Sequence, residues 1–148
     1  MKEKEIKWGI LGCGNIAGKF AEALAKVPGA TRYAAAARDL SRAQEFSSEF
    51  GFSKSYGSYR ELVEDPETDI IYIATPHSYH YAHSKLCLEN GKHVLCEKPF
   101  TVNAGQLKAL IDLSVKNDRF LMEALWTRFL PHIIRTKELI DDGLIGDA

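Results

Sequence analysis

Short apolar runs alternate with longer stretches of helical spacing along the whole chain, and this alternation constrains the fold more than any other feature. Ile6 to Leu11 is a strand candidate, and Asn15 to Lys26 has helical spacing with Ile16, Phe20, Ala23, Leu24 and Val27 on one face. Pro28-Gly29 stops that helix. Thr31 to Ala37 predicts a second strand, rich in alanine, over which helices can pack closely. Ser41 is placed to cap a helix running to Phe50, with Glu45 near the position of a capping partner. Ser58 to Glu64 predicts a short helix closed by Asp65-Pro66. Asp69 to Thr75 is a third strand, apolar without alternation, as a strand covered on both faces should be. A helix from His77 to Asn90 stops at Gly91, and the strand that follows runs into Glu97. Asn103 caps a helix to about Asn117, Arg119 to Ala124 is a fifth strand, and Phe129 to Asp142 is a last helix ended by Gly143. Strand and helix alternate throughout, which implies an α/β fold: a doubly wound, mostly parallel sheet with right-handed crossovers and helices on both faces.

The loop after the first strand reads Gly12-Cys13-Gly14-Asn15-Ile16-Ala17, a G-x-G-x-x-A that opens directly into a helix. Gly12 permits a tight turn, Gly14 lets the backbone approach a pyrophosphate, and Ala17 keeps the helix close to its strand. Unpaired N–H groups at the helix start then favour phosphate. Strand, loop and helix in this order point to a Rossmann nucleotide-binding domain. Methyltransferases also place a glycine-rich loop after a first strand, and a glycine turn without a ligand has the same spacing.

The residues after the second strand decide the ribose contact. An acid there holds the 2′-hydroxyl of NAD, whereas an arginine accommodates the 2′-phosphate of NADP. The strand ends Ala36-Ala37-Arg38-Asp39, followed by Leu40-Ser41-Arg42. Arg38 takes the decisive position, with Ser41 and Arg42 able to assist, because a guanidinium binds phosphate bidentately. Asp39 argues for NAD, or leads into the turn. NADP is the expected cofactor, with NAD as the alternative.

The strand after Gly91 feeds Glu97-Lys98-Pro99 into the space beyond its carboxyl end, where open α/β sheets bind ligands. A strand-end lysine also serves simply to reach water; beside a dinucleotide loop, Lys98 is the candidate for chemistry. Thr75-Pro76-His77 follow a core strand and should line the middle of the cofactor. His77, His80 and His83 recur at every third position, a spacing that drifts around a helix, and no carboxylate completes a set, so no metal is expected.

The 148 residues fit one ordinary domain, long enough to bury a real core. A net charge of −1 sets up no field for nucleic acid or an anionic membrane. No apolar run approaches the roughly 20 residues of a spanning helix, and the charged residues 1–5 lead into no signal peptide. The three cysteines form no C-x-x-C pair, which suits a reducing, cytoplasmic setting. Cys13, beside a helix start, is the candidate for thiol chemistry; the plainer reading is a small residue that fits there. Residues 144–148 carry apolar side chains with no partner element, which predicts a continuation.

The motifs Gly12 to Ala17, Ala74-Thr75-Pro76-His77-Ser78-Tyr79-His80, Gly91-Lys92-His93-Val94 and Glu97-Lys98-Pro99 stand in the order found in the Gfo/Idh/MocA oxidoreductases, and the chain resembles that family over nearly its whole length. Residues 37–43 and 121–131 look most like its dimeric dihydrodiol dehydrogenase and D-xylose dehydrogenase branch. The resemblance implies an NAD(P)-dependent enzyme of roughly twice this length. It assigns 1–125 to the cofactor domain and 126–148 to a linking helix and the start of a second domain that binds substrate and makes a homo-oligomer. It implies hydride transfer between nicotinamide and a secondary hydroxyl or carbonyl of a sugar or cyclic trans-diol, with Lys98 as acid/base. Glu97 becomes an orienter of ribose or nicotinamide, and Pro99 a cis-proline turn. His80 matches a family histidine, a helix-start packing or hydrogen-bonding residue on the cofactor side. Trp126 and Arg128 approach the nicotinamide end or pack at the domain interface. By the same resemblance, a non-catalytic NAD(P)-sensing regulator is the alternative, although such a protein has no need of Lys98.

Overall fold

A computed structural model describes residues 5–146; the charged residues 1–4 and the terminal 147–148 lie outside the described residues. The elements are β1 (Ile6–Leu11), α1 (Asn15–Leu24), β2 (Ala30–Ala36), α2 (Leu40–Phe50), β3 (Lys54–Tyr56), α3 (Tyr59–Glu64), β4 (Ile70–Ile73), α4 (His80–Glu89), β5 (His93–Glu97), α5 (Ala104–Lys116), β6 (Leu121–Ala124) and α6 (Pro131–Asp141). Short 3₁₀ turns at His77–Tyr79 and Trp126–Phe129 precede α4 and α6. The strands form one six-stranded sheet in the order β3-β2-β1-β4-β5-β6, with every pairing parallel. Strand order reverses between β1 and β4, and a crevice opens there at the carboxyl ends.

Alternate residues of each strand serve two apolar layers, which is why the strands read as unbroken apolar runs. Leu11, Ile71, Ile73, Val94 and Cys96 pack with Leu62, Leu88 and Leu110 under α3, α4 and α5. Ile10, Ala35 and Tyr72 pack with Ala17, Ala21 and Phe46 under α1 and α2. Beyond α1 the second layer is open: Tyr72, Leu95, Met122 and Ala124 face a cavity of about 620 Å³. Among the described residues no helix is long and apolar enough to cross a membrane.

Four local expectations are corrected. The buried side of α1 is Ala17, Gly18, Ala21 and Leu24, whereas Ile16 and Val27 are exposed. Close approach selects the small face, since a Cβ on Gly18 would lie 2.8 Å from Phe50 Cζ. The larger Ile16, Phe20 and Ala23 flank the open cavity instead. The cap of α2 is Asp39, not Ser41: the Asp39 carboxylate accepts from the Ser41 amide at 2.8 Å. A capping box does form at α3, where Ser58 and Glu61 exchange both bonds. The strand β3 has only three residues and no apolar run, and it exists because it pairs with Ala34–Ala36 at the sheet edge. That makes Leu121–Ala124 the sixth strand rather than the fifth. The segment at 77–79 is a 3₁₀ turn, so α4 proper starts at His80.

Candidate functional site

The glycine loop is shaped by two different needs. Gly12 has φ +102°, and a Cβ there would sit 3.0 Å from Thr75 Cγ2 and 3.1 Å from the Ala74 backbone. Gly14 has nothing within 4 Å of the position its Cβ would take, so its backbone faces open space. It is the N-cap of α1, whose first turn carries no acidic residue to neutralise the free N–H groups. Asn15 and Ile16 head that helix, and Ala17 is fully buried against the sheet. A crevice of about 600 Å³ runs past Gly12, Gly14, Arg38, Arg42, Thr75 and Pro76.

At the far end of this crevice, Asp39 and Arg38 divide their tasks. Asp39 accepts from both the Ser41 amide and the Ser41 hydroxyl, at 2.8 and 2.9 Å, and those bonds hold its carboxyl below the usual carboxylate range. Asp39 Oδ1 thus caps the helix through Ser41, while Asp39 and the exposed Arg38 both border the crevice. Arg42 reaches back to the Cys13 carbonyl at 3.4 Å. Beside Arg38, the His83 ring stacks on Tyr79 at 5.7 Å and meets Tyr59 edge-on at 4.9 Å. The Cys13 thiol is pushed up to about 11 by burial, against the opposing charge of Arg42, so it is not a reactive thiolate at neutral pH.

Lys98 sits on a turn clamped from several elements. Tyr72 of β4 donates its phenol to Glu97 Oε1 at 2.6 Å, and the Lys98 amide donates to Glu97 Oε2 at 3.1 Å. The Lys98–Pro99 bond is cis. The Pro99 carbonyl meets His80 Nδ1 of α4 at 2.8 Å, and the Phe100 amide donates to Glu123 Oε1 of β6 at 2.9 Å. The Lys98 side chain is exposed and borders a crevice of about 410 Å³ with Ile16, Thr75, Pro76, His77, His80, Glu97 and Trp126. Thr75 and Pro76 border both crevices, which therefore adjoin along the carboxyl edge of the sheet.

The two crevices therefore bring together Gly12, Gly14, Ile16, Arg38, Asp39, Arg42, Thr75, Pro76, His77, His80, Glu97, Lys98 and Trp126. Arg128 instead borders a separate cavity with Leu121, Met122 and Glu123. Tyr72, Glu123, Tyr59 and Tyr79 brace or border these crevices without being singled out as site residues in the sequence, where His83 is weighed only as a metal ligand. A phenol inside the four-residue, fully buried run of β4 was the available signal, since a buried polar atom needs a partner. Among the described residues no group of three or more His, Cys, Asp or Glu is placed to hold a metal ion.

Fold, glycine loop and strand-end turn together define a dinucleotide-binding domain of the Rossmann class. The Gfo/Idh/MocA family, described as an oxidoreductase family with an NAD-binding Rossmann fold, matches residues 6–125, and the chain belongs to it. The trans-1,2-dihydrobenzene-1,2-diol dehydrogenase of Mus musculus is 44% identical over 144 residues, which cover 96% of this chain and 43% of that protein. The D-xylose 1-dehydrogenase (NADP(+)) of Hypocrea jecorina is 45% identical over 154 residues, covering 95% of this chain and 39% of its own length. The crystal structure of a 3-ketoreductase from Actinomadura kijaniata with NADP matches with a TM-score of 0.90 at 30% identity, covering 97% of this chain and 46% of that one. The chain thus spans about two-fifths of the length of the curated relatives it matches.

Proposed function

We propose that this domain is the cofactor-binding half of an NADP-dependent oxidoreductase acting on a secondary hydroxyl or carbonyl of a sugar or cyclic trans-diol. Lys98 is the acid/base, and residues beyond this domain complete the substrate side and the oligomer. The observation that carries the reading is the pair of adjoining crevices, sharing Thr75 and Pro76, which set the glycine loop and Lys98 along one sheet edge at the β1–β4 switch point.

The residues fit a dinucleotide. The open space at Gly14 and the unneutralised start of α1 suit the pyrophosphate. The exposed Arg38 on the crevice wall, beside an Asp39 whose Oδ1 is engaged by the helix cap, suits a ribose 2′-phosphate, and the NADP named with the 3-ketoreductase supports that assignment. When bound, the nicotinamide supplies the hydride donor or acceptor. The protein's part is to hold the Lys98 side chain beside it, to give the substrate oxygen a proton as the ammonium or take one from it as the neutral amine. The substrate class follows the names of the diol and xylose dehydrogenases. The Lys98 turn, held by Glu97, His80 and Glu123, favours an enzyme over a cofactor-sensing regulator, which has no use for a positioned lysine. Titrating NADPH and NADH into the chain and following energy transfer from Trp8 and Trp126 tests the cofactor assignment. Tighter binding of NADPH is expected; tighter NADH would reject the role of Arg38, and binding of neither would reject the site.

A further inference from the structure

His80 rests where a polar ring must find partners, because it is 1% exposed. Its Nδ1 lies 2.8 Å from the Pro99 carbonyl oxygen and its Nε2 lies 2.8 Å from the Thr75 carbonyl oxygen. A carbonyl oxygen only accepts, so each contact is a hydrogen bond only where that ring nitrogen carries a proton. A neutral imidazole has one N–H. It would leave a ring lone pair facing a carbonyl lone pair at bonding distance in a buried place. The imidazolium has two N–H groups and satisfies both carbonyls.

The charges around the ring act in both directions. The Glu97 carboxylate borders the same crevice, and Glu123 of β6 reaches the same turn through Phe100. Both favour a cation. Against it stand Lys98 and His77 in that crevice, His83 further along α4, and the positive end of the α4 dipole. Burial itself also opposes a charge on the ring, and two charge-assisted hydrogen bonds to the carbonyls are what offset that cost and the helix dipole.

We infer that His80 is a buried imidazolium that acts as a positioning residue, latching the loop after β4 to the turn that carries Lys98. The two carbonyls belong to separate chain segments, one following β4 and one following β5. A planar ring donating to both sets their separation, and a ring with one proton holds only one of them. The bearing on proton transfer rests on the role proposed for Lys98; the latch itself does not.

Both tests use the chain without cofactor. In the first, the histidine ring nitrogens of the ¹⁵N-labelled protein are observed at pH 7. His77, His83, His93 and His132 are each changed to Gln so that His80 is assigned by elimination. Two N–H groups with both nitrogens of the protonated type are expected for His80; one N–H and one lone-pair nitrogen would overturn the inference. In the second, amide hydrogen exchange is compared at Lys98 and Phe100, with Ile10 and Leu11 as internal references. His80→Gln should speed exchange at the turn about tenfold and leave the references unchanged. Unchanged exchange at the turn of the folded variant would refute the latch. If that variant does not fold, the wild type is followed with rising pH. The turn amides should then lose protection together with the second ring N–H, and separate midpoints would refute the latch.

Discussion

Tyr72→Phe removes one oxygen from the centre of the domain and is the sharpest probe of how Lys98 is held. The ring itself stays: it stacks on Phe20 with centroids 3.8 Å apart and is 1% exposed, so no cavity larger than a hydroxyl opens. What is lost is a 2.6 Å bond to Glu97 Oε1. Burial, and then Glu97, push the Tyr72 phenol far above its ordinary range, so it keeps its proton and is the donor at pH 7. Glu97 is 7% exposed and keeps only the Lys98 amide as a partner in the variant. A hydrogen bond to a charged group contributes about 1.5–3 kcal/mol. For a chain of this size about 2 kcal/mol corresponds to a fall in Tm of about 4–8 °C. Urea unfolding at pH 7, followed by tryptophan fluorescence, measures the loss. A double-mutant cycle with Glu97→Gln isolates the pair, and a coupling of at least about 1 kcal/mol is expected. Additivity within about 0.5 kcal/mol would refute the bond and with it the account of how the turn is anchored.

Four further outcomes follow from the same geometry. In a full-length enzyme carrying this domain, Lys98→Met should leave NADPH affinity nearly intact and abolish turnover; near-normal steady-state rates would remove Lys98 from the chemistry. Arg38→Ala should weaken NADPH by about tenfold or more while barely changing NADH, read from paired fluorescence titrations. Gly12→Ala forces a side chain into a φ of +102° and against the Ala74 backbone, and should cost on the order of 2–4 kcal/mol in denaturant unfolding. Burial raises the Asp65 carboxyl, but bonds from the Tyr56 phenol, the Glu67 amide and the Lys54 ammonium outweigh it and leave the group at about 2. Its value is lower folded than unfolded, so the stabilisation, about 2 kcal/mol, is complete above the ordinary 3.8 and is lost as pH falls towards 2. Asp65→Asn should therefore destabilise at pH 7 and converge with the wild type near pH 2, as pH-dependent melting would reveal.

Elements with their own local signal were readable in advance. β1 begins and ends as its apolar run predicts, and Asn103 caps α5 as its side chain suggests. The glycine loop was readable too, because turn, close approach and helix start each demand a particular residue. What escaped was decided by distant partners. β3 is Lys54-Ser55-Tyr56, a sequence with no strand pattern, and only the exposed edge of β2 makes it one. Ile16 and Phe20 have the spacing of a core face, yet the closeness of α2 gives the core to Gly18 and Ala21. The clamps on the Lys98 turn come from Tyr72 and Glu123, each more than twenty residues away, and no periodicity encodes such a meeting. Arg128 shares the carboxyl edge with Lys98 but turns to another cavity, a choice made by the 3₁₀ turn at Trp126–Phe129.

The central place of β1 bears on how the domain comes into being. Trp8 pairs on one side with Arg32 and on the other with Ile70, so the first strand waits for a partner far along the chain. Gly12 is wedged against Ala74 and Thr75, which arrive with that late partner. No early folding species can carry a finished phosphate cradle. Parallel pairing over such separations also makes for slow folding. A ligand that needs the cradle can recognise only the closed sheet, and so acts as a thermodynamic brake on unfolding. At a hundred times its Kd it would add about 2.7 kcal/mol to stability. Cofactor supply and the survival of the folded domain are thereby linked.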